Sequence, residues 1–127
     1  MQKKTLHLIL SMGIGAALSI PGVVLGQAVP RSFAAAPDVY KVIAENDQYR
    51  VIEATWKPGQ RDAWHSHGPV VASYSLTPCK FRLHTPDGKF TESEGIPGRA
   101  RVTSVAPSHS FENIGTTECK SIHFEPK

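Results

Sequence analysis

The sequence predicts an all-β domain, a single antiparallel sandwich or barrel. Three observations carry that expectation. After residue 38, short runs rich in Val, Ile, Tyr and Phe are separated by Asn, Asp, Gly and Pro. Within the runs, polar and apolar residues alternate with the two-residue period of a strand. No segment of this region keeps a 3.6-residue apolar period for three turns. A chain of 127 residues has room for one such core.

The elements follow in order. "VYKVIA" ends at "ENDQ", and "YRVIEATW" ends at "KPGQ". In the second run Ile52, Ala54 and Trp56 share one face, with Val51, Glu53 and Thr55 on the other. "VVASYSL" ends at "TP". In "KFRLHT", Phe81 and Leu83 alternate with Lys80, Arg82 and His84, so His84 is expected on a solvated face. "TPDGK" then closes a hairpin, since Asp87-Gly88 suits a turn needing positive φ. "ARVTSV" and "KSIHFE" complete about seven strands. His123 alternates with Ile122 and Phe124 in the last of them and is expected at an edge or surface.

The first 28 residues read differently. "MQKK" is a basic start, "TLHLILSMGIGAALSI" an apolar stretch, and Pro21-Gly22 a helix breaker. Gly26 and Ala28 then stand at the small-residue positions of a cleavage site. This is the layout of a secretory signal peptide, 1–28, shorter and more lightly flanked than a membrane anchor. Export to the periplasm or beyond the cell is expected, with no stable anchor after cleavage, the alternative being an uncleaved N-terminal anchor. "VPRSFAAAPD", 29–38, reads as a flexible Ala- and Pro-rich tether, and 39–127 as the domain. Losing Lys3 and Lys4 lowers the formal charge from +3 to +1, and no basic cluster is interleaved with aromatics. That argues against a nucleic-acid partner. In an oxidising compartment Cys79 and Cys119 are expected as a disulfide, the alternative being two buried thiols.

The chemistry of the chain gathers around "WHSH". His65 and His67, one residue apart, would point to the same side of an extended strand and can share a metal ion. Gly59 lies six residues before His65. Further on, "GRARVTSVAPSHSFEN" places His109 eleven residues after Gly98 and Asn113 four after His109. These residues, at these spacings, resemble the two motifs of the small single-domain cupins. The likeness covers about Val39 to the end, and it departs from the family at four places, one of them the absent closing glycine of the first motif. The first motif's glutamate position falls on Val71 or Ala72, Ser104 stands for the second motif's proline, and Ala106 for its glycine.

The resemblance implies a conical β-barrel, or jelly roll, with a divalent transition metal held inside by His65, His67 and His109. Imidazole ligands suit Fe, Zn, Ni or Cu better than Mg or Ca. Without the glutamate, three neutral imidazoles would leave the ion's charge uncompensated, so the site should favour an anionic ligand. Tyr74 or Ser73 could offer an oxygen nearby, though a barrel tyrosine is ordinarily core. Glu53 and Glu112 read as solvated acids and Asn113 as a turn-closing amide, while Arg99 and Arg101 share a face that could attract an anion at the barrel mouth, the alternative being two ordinary arginines on an exposed edge.

Three functions stay open. The first is a metal-dependent oxygenase or isomerase acting on a small anionic metabolite. The others are a non-catalytic metal- or ligand-binding module, and a structural barrel that has lost its metal. No P-loop, G-x-G-x-x-G, C-x-x-C or Ser/His/Asp order supports a rival enzyme class. Dimerisation is an expectation from the family alone.

Overall fold

A computed structural model describes residues 28–104 and 108–127. The signal-peptide reading falls almost wholly outside them. Eight strands run in chain order: β1 (Tyr40–Glu45), β2 (Tyr49–Trp56), β3 (Val70–Ser75), β4 (Cys79–His84), β5 (Phe90–Gly95), β6 (Ala100–Ser104), β7 (Ser110–Asn113) and β8 (Cys119–Pro126). They form a five-stranded sheet in the order β1-β2-β8-β3-β6 and a three-stranded sheet in the order β5-β4-β7. Every pairing between named strands is antiparallel. The all-β expectation is met, and β5, which the sequence implied only as the far arm of a hairpin, is a full strand. Its partner β4 meets it from Cys79↔Gly95 to His84↔Phe90. Gly88 in the connecting turn has φ +81°, as the Asp-Gly pair requires.

The core sits between the sheets. Ile52, Ala54 and Trp56 of β2 point inward, as their alternation predicts. Trp56 packs edge-on against Tyr40 and Phe81, with ring centroids 5.3 and 4.9 Å apart. Phe111 closes the far side at 6.2 Å. A disulfide between Cys79 and Cys119 joins β4 of the small sheet to β8 of the large one. The motif glycines have a shared cause, because Gly59 (φ +74°) and Gly98 (φ +79°) both turn the chain through left-handed backbone. Asn113 ties its turn as expected. Its amide nitrogen donates to the carbonyls of Trp56 and Thr117, and its oxygen accepts from Gly115 N–H.

Four readings need correction. The segment read as a flexible tether is docked. Arg31 bridges to Ser66, a one-turn helix α1 (Ser32–Ala35) follows, and Ser32, Ala36, Val39 and Tyr40 are buried. Apolar burial of Ala36 and Val39 outweighs the lack of periodicity in this stretch. Tyr74 is not core but 44% exposed, on the outer face of β3. His123 is not at the surface, because β8 turns Ser121, His123 and Glu125 inward and Phe124 outward. Finally, His65 and His67 lie on an irregular segment rather than a strand.

Candidate metal centre

What an irregular segment loses in regularity, two backbone hydrogen bonds restore. His65 N–H donates to His109 C=O at 2.9 Å, and His109 N–H returns to His65 C=O at 3.1 Å. This bridge, with a second between Arg61 and Glu112, clamps the first-motif loop to β7 and brings the two histidines together. The rings of His65, His67 and His109 cluster with centroids 4.5, 4.8 and 5.1 Å apart. Each of the three offers a nitrogen within 4.8 Å of the others'. The three histidines singled out in the sequence therefore converge on one point.

Orientation can be read from the partners. His65 Nδ1 lies 2.8 Å from Ala63 C=O, which only accepts, so Nδ1 carries the proton and Nε2 is left as a lone pair. That Nε2 faces His67 Nε2 at 3.0 Å. Tyr40 Oη is 3.2 Å away, but its own proton goes to Asp62 Oδ2 at 2.8 Å. Asp62 also accepts from Trp56 Nε1 at 3.0 Å and Phe111 N–H at 2.8 Å, and its side chain is fully buried. Burial pushes the Asp62 carboxyl above its ordinary range, against the opposing pull of His65, Tyr40 and Trp56. Burial likewise lowers His65, partly offset by Asp62 and the Ala63 carbonyl.

On its other side His67 Nδ1 contacts the carboxylate of Glu125. Burial would raise Glu125, but the hydrogen bond and charge of His67, with His123 and Arg31, bring it below the ordinary range. His123 completes this flank. It is fully desolvated, which pulls its imidazole down to about 3, and its Nε2 meets Ser121 Oγ at 2.9 Å. His67, His123 and Glu125 make a second group whose ligand atoms lie within 4.8 Å of one another. The expectation of an uncompensated three-imidazole centre is thus corrected, since a carboxylate reaches the site from β8.

His67 and His123 open onto a cavity of about 510 Å³. Trp56, Phe81 and Phe111 supply flat apolar walls, and Arg99 and Arg101, both exposed, stand at its rim. Ser73 also lines it, whereas Tyr74 does not. Glu112 pairs outward with His84 at 2.8 Å, which leaves it no part in the interior.

The architecture can be compared with known structures. A cupin domain from Bordetella pertussis superposes with a TM-score of 0.63 at 24% identity, covering 80% of this chain and 99% of that one. The chain has the cupin fold. A double-stranded β-helix protein from Klebsiella pneumoniae matches this cupin barrel with a TM-score of 0.55 at 18% identity, covering 78% and 83% of the two chains. The polyketide cyclase RemF from Streptomyces resistomycificus matches at 0.54 and 19%, covering 84% and 80%. No family model matches the sequence, and a search of curated proteins finds no match.

The cupin motifs account for His65, His67 and His109, but Tyr40, Asp62 and Glu125 went unassigned and His123 was placed at the surface. Asp62 occupies an anonymous position between Gly59 and His65. For β8 a signal did exist: Ser121, His123 and Glu125 form a wholly polar face on a strand that also carries Ile122 and Phe124. In a barrel with a polar interior, that is the inner face.

Proposed function

We propose that this cupin is an exported protein that holds a divalent transition metal on His65, His67 and His109. Its cavity then receives a small anionic molecule for metal-dependent chemistry of the oxygenase or isomerase kind. One observation carries the reading. Two buried imidazole nitrogens face each other at 3.0 Å, and the nearby protons of Tyr40, His65 Nδ1 and His67 Nδ1 are committed elsewhere, the last to the Glu125 carboxylate. Facing lone pairs repel, and a cation between them turns repulsion into coordination. Ions of this class bind imidazole nitrogen at about 2.1 Å, close enough for one ion to take both. When bound, such an ion supplies Lewis acidity and open coordination positions.

The residues around it have separate tasks. Asp62 and the Ala63 carbonyl hold His65 in one orientation. Trp56, Phe81 and Phe111 exclude water from the apolar body of a ligand, and Arg99 and Arg101 draw a carboxylate or other anion to the mouth. RemF, a polyketide cyclase of similar fold, makes a polyketide a sensible member of the first screen.

The test is the metal content of the mature protein purified without chelator, beside H65A/H67A and H109A. Near-stoichiometric Fe, Zn, Ni or Cu in the wild type, lost in both variants, is expected. Equal metal in all three proteins, or none in any after reconstitution near neutral pH, would overturn the assignment.

A further inference from the structure

The acid missing from the first motif leaves a question that β8 answers. Glu125 lies on the last strand, 58 residues from His67 and outside both motifs, yet its carboxylate meets His67 Nδ1 with both side chains only 2% exposed. An acid on a strand of a small domain is ordinarily turned to solvent. This one is buried among His67, His123 and the Arg31 segment.

The seat is built on both sides. Gly68, directly after His67, runs so close to β8 that a Cβ there would sit 3.0 Å from the Pro126 carbonyl oxygen and 3.8 Å from Arg31 Nη1. The loop carrying His67 is therefore pressed onto the end of β8 at a point where only glycine fits without displacement. On the strand itself, Ser121 holds His123 Nε2, which fixes the ring that flanks the pair. Register supplies the rest. Antiparallel pairing of β8 with β2, from Tyr49↔Pro126 to Trp56↔Cys119, puts Arg50 opposite Glu125 and Ile52 opposite His123. The pairing with β3 sets Ser73 opposite His123. Glu125 thus has a defined place on a central strand rather than a floppy terminal one.

A carboxylate against one imidazole nitrogen has two consequences. It holds the proton on that nitrogen, leaving the far nitrogen as the lone pair, and it raises the ring's basicity toward a cation. Here the far nitrogen is the one that faces His65. We infer that Glu125 is the positioning residue of the metal centre: from β8 it fixes His67 with Nε2 turned to the ion and supplies the negative charge that the first motif lacks. It acts through His67 and is not itself a ligand. The inference rests on the three-histidine reading above but addresses a different residue by a different observable.

The first measurement is a long-range 1H–15N NMR spectrum of the metal-free full chain, which reports which nitrogen of His67 carries the proton. The wild type should show Nδ1–H, and E125A should shift His67 to Nε2–H or to a mixture. E125Q, of equal shape, keeps an oxygen that can accept Nδ1–H and should retain the tautomer while losing the charge. The second measurement is Co(II) affinity by its visible absorption. E125A should bind about 10- to 100-fold more weakly than wild type, E125Q should fall in between, and E125D should recover part of the loss. Nε2–H on His67 in the wild type, or E125A affinity within twofold of wild type, would overturn the role of Glu125. Unchanged Co(II) binding in H65A would instead overturn the three-histidine site, while the tautomer, read without metal, still judges Glu125 by itself.

Discussion

The two flanks of the histidine cluster are built for different ends. Behind His65 the packing is closed. Tyr40, Trp56 and Asp62 surround it, the ring is fully buried, and both of its nitrogens have assigned neighbours. Beside His67 the structure opens onto the cavity, with His123 at the wall and two arginines at the rim. The closed flank sets orientation, and the open flank meets what enters. A rigid back and an accessible front are what a preorganised site requires, since a ligand that swings freely must be ordered at binding.

Damage to the closed flank should cost the most stability. Asp62→Ala would strand the buried indole N–H of Trp56 and the part-buried backbone N–H of Phe111, and would leave the Tyr40 hydroxyl only the longer contact to His65 Nε2 at 3.2 Å. Each stranded group costs about 1–3 kcal/mol, so urea unfolding should show a loss of about 3 kcal/mol or more. A change under 1 kcal/mol would mean that this flank is not the rigid one.

Acid should act next, and through His123. An imidazole held down to about 3 when folded binds no proton between there and its ordinary 6.5, while the unfolded chain does. Stability is therefore fully present above about pH 6.5 and lost as pH falls toward 3, at about 1.4 kcal/mol per pH unit for one such group. Metal-free protein at pH 5 should be about 2 kcal/mol less stable than at pH 7, and His123→Gln should flatten that slope. A wild-type curve flat from 7 to 5 would place His123 in contact with water.

The smallest effect on folding belongs to the rim. Arg99→Ser with Arg101→Ser should change stability by no more than about 0.5 kcal/mol, as exposed substitutions do. Binding of a small dicarboxylate to the metal-loaded protein should nonetheless weaken several-fold, with the remaining affinity less sensitive to salt. Unaltered binding would take the arginines out of the ligand's path and leave the metal as the sole source of anion preference.

The sequence was informative where spacing alone decides the outcome. Alternation in β2 and β4, the Asp87-Gly88 turn and the distances from Gly59 to His65 and from Gly98 to His109 all survive folding, because each is a local property. The direction of β8 is not local. Ile122 and Phe124 look like the buried face of any strand, and only pairing with β2 and β3 decides that the polar residues turn inward. His123 and Glu125 were lost for that reason. Asp62 was lost for another, since its value lies in three donors that arrive from three separate elements. The Ala-rich segment before β1 lacks periodicity, and its burial of Ala36 and Val39 depends on a surface formed by the rest of the chain.

The Cys79–Cys119 bond has one more effect, in the unfolded chain. Cys79 lies between His65 and His109 in the sequence and Cys119 a short way beyond His109, so the path from one histidine to the other shortens when it crosses the sulfur bridge. The shortcut roughly halves that path, and halving a loop lowers its closure entropy cost by about 0.6 kcal/mol. An oxidised chain therefore starts its search for the His65–His109 clamp from a contracted ensemble. The covalent bond shapes the polymer statistics of ligand assembly before any strand has paired.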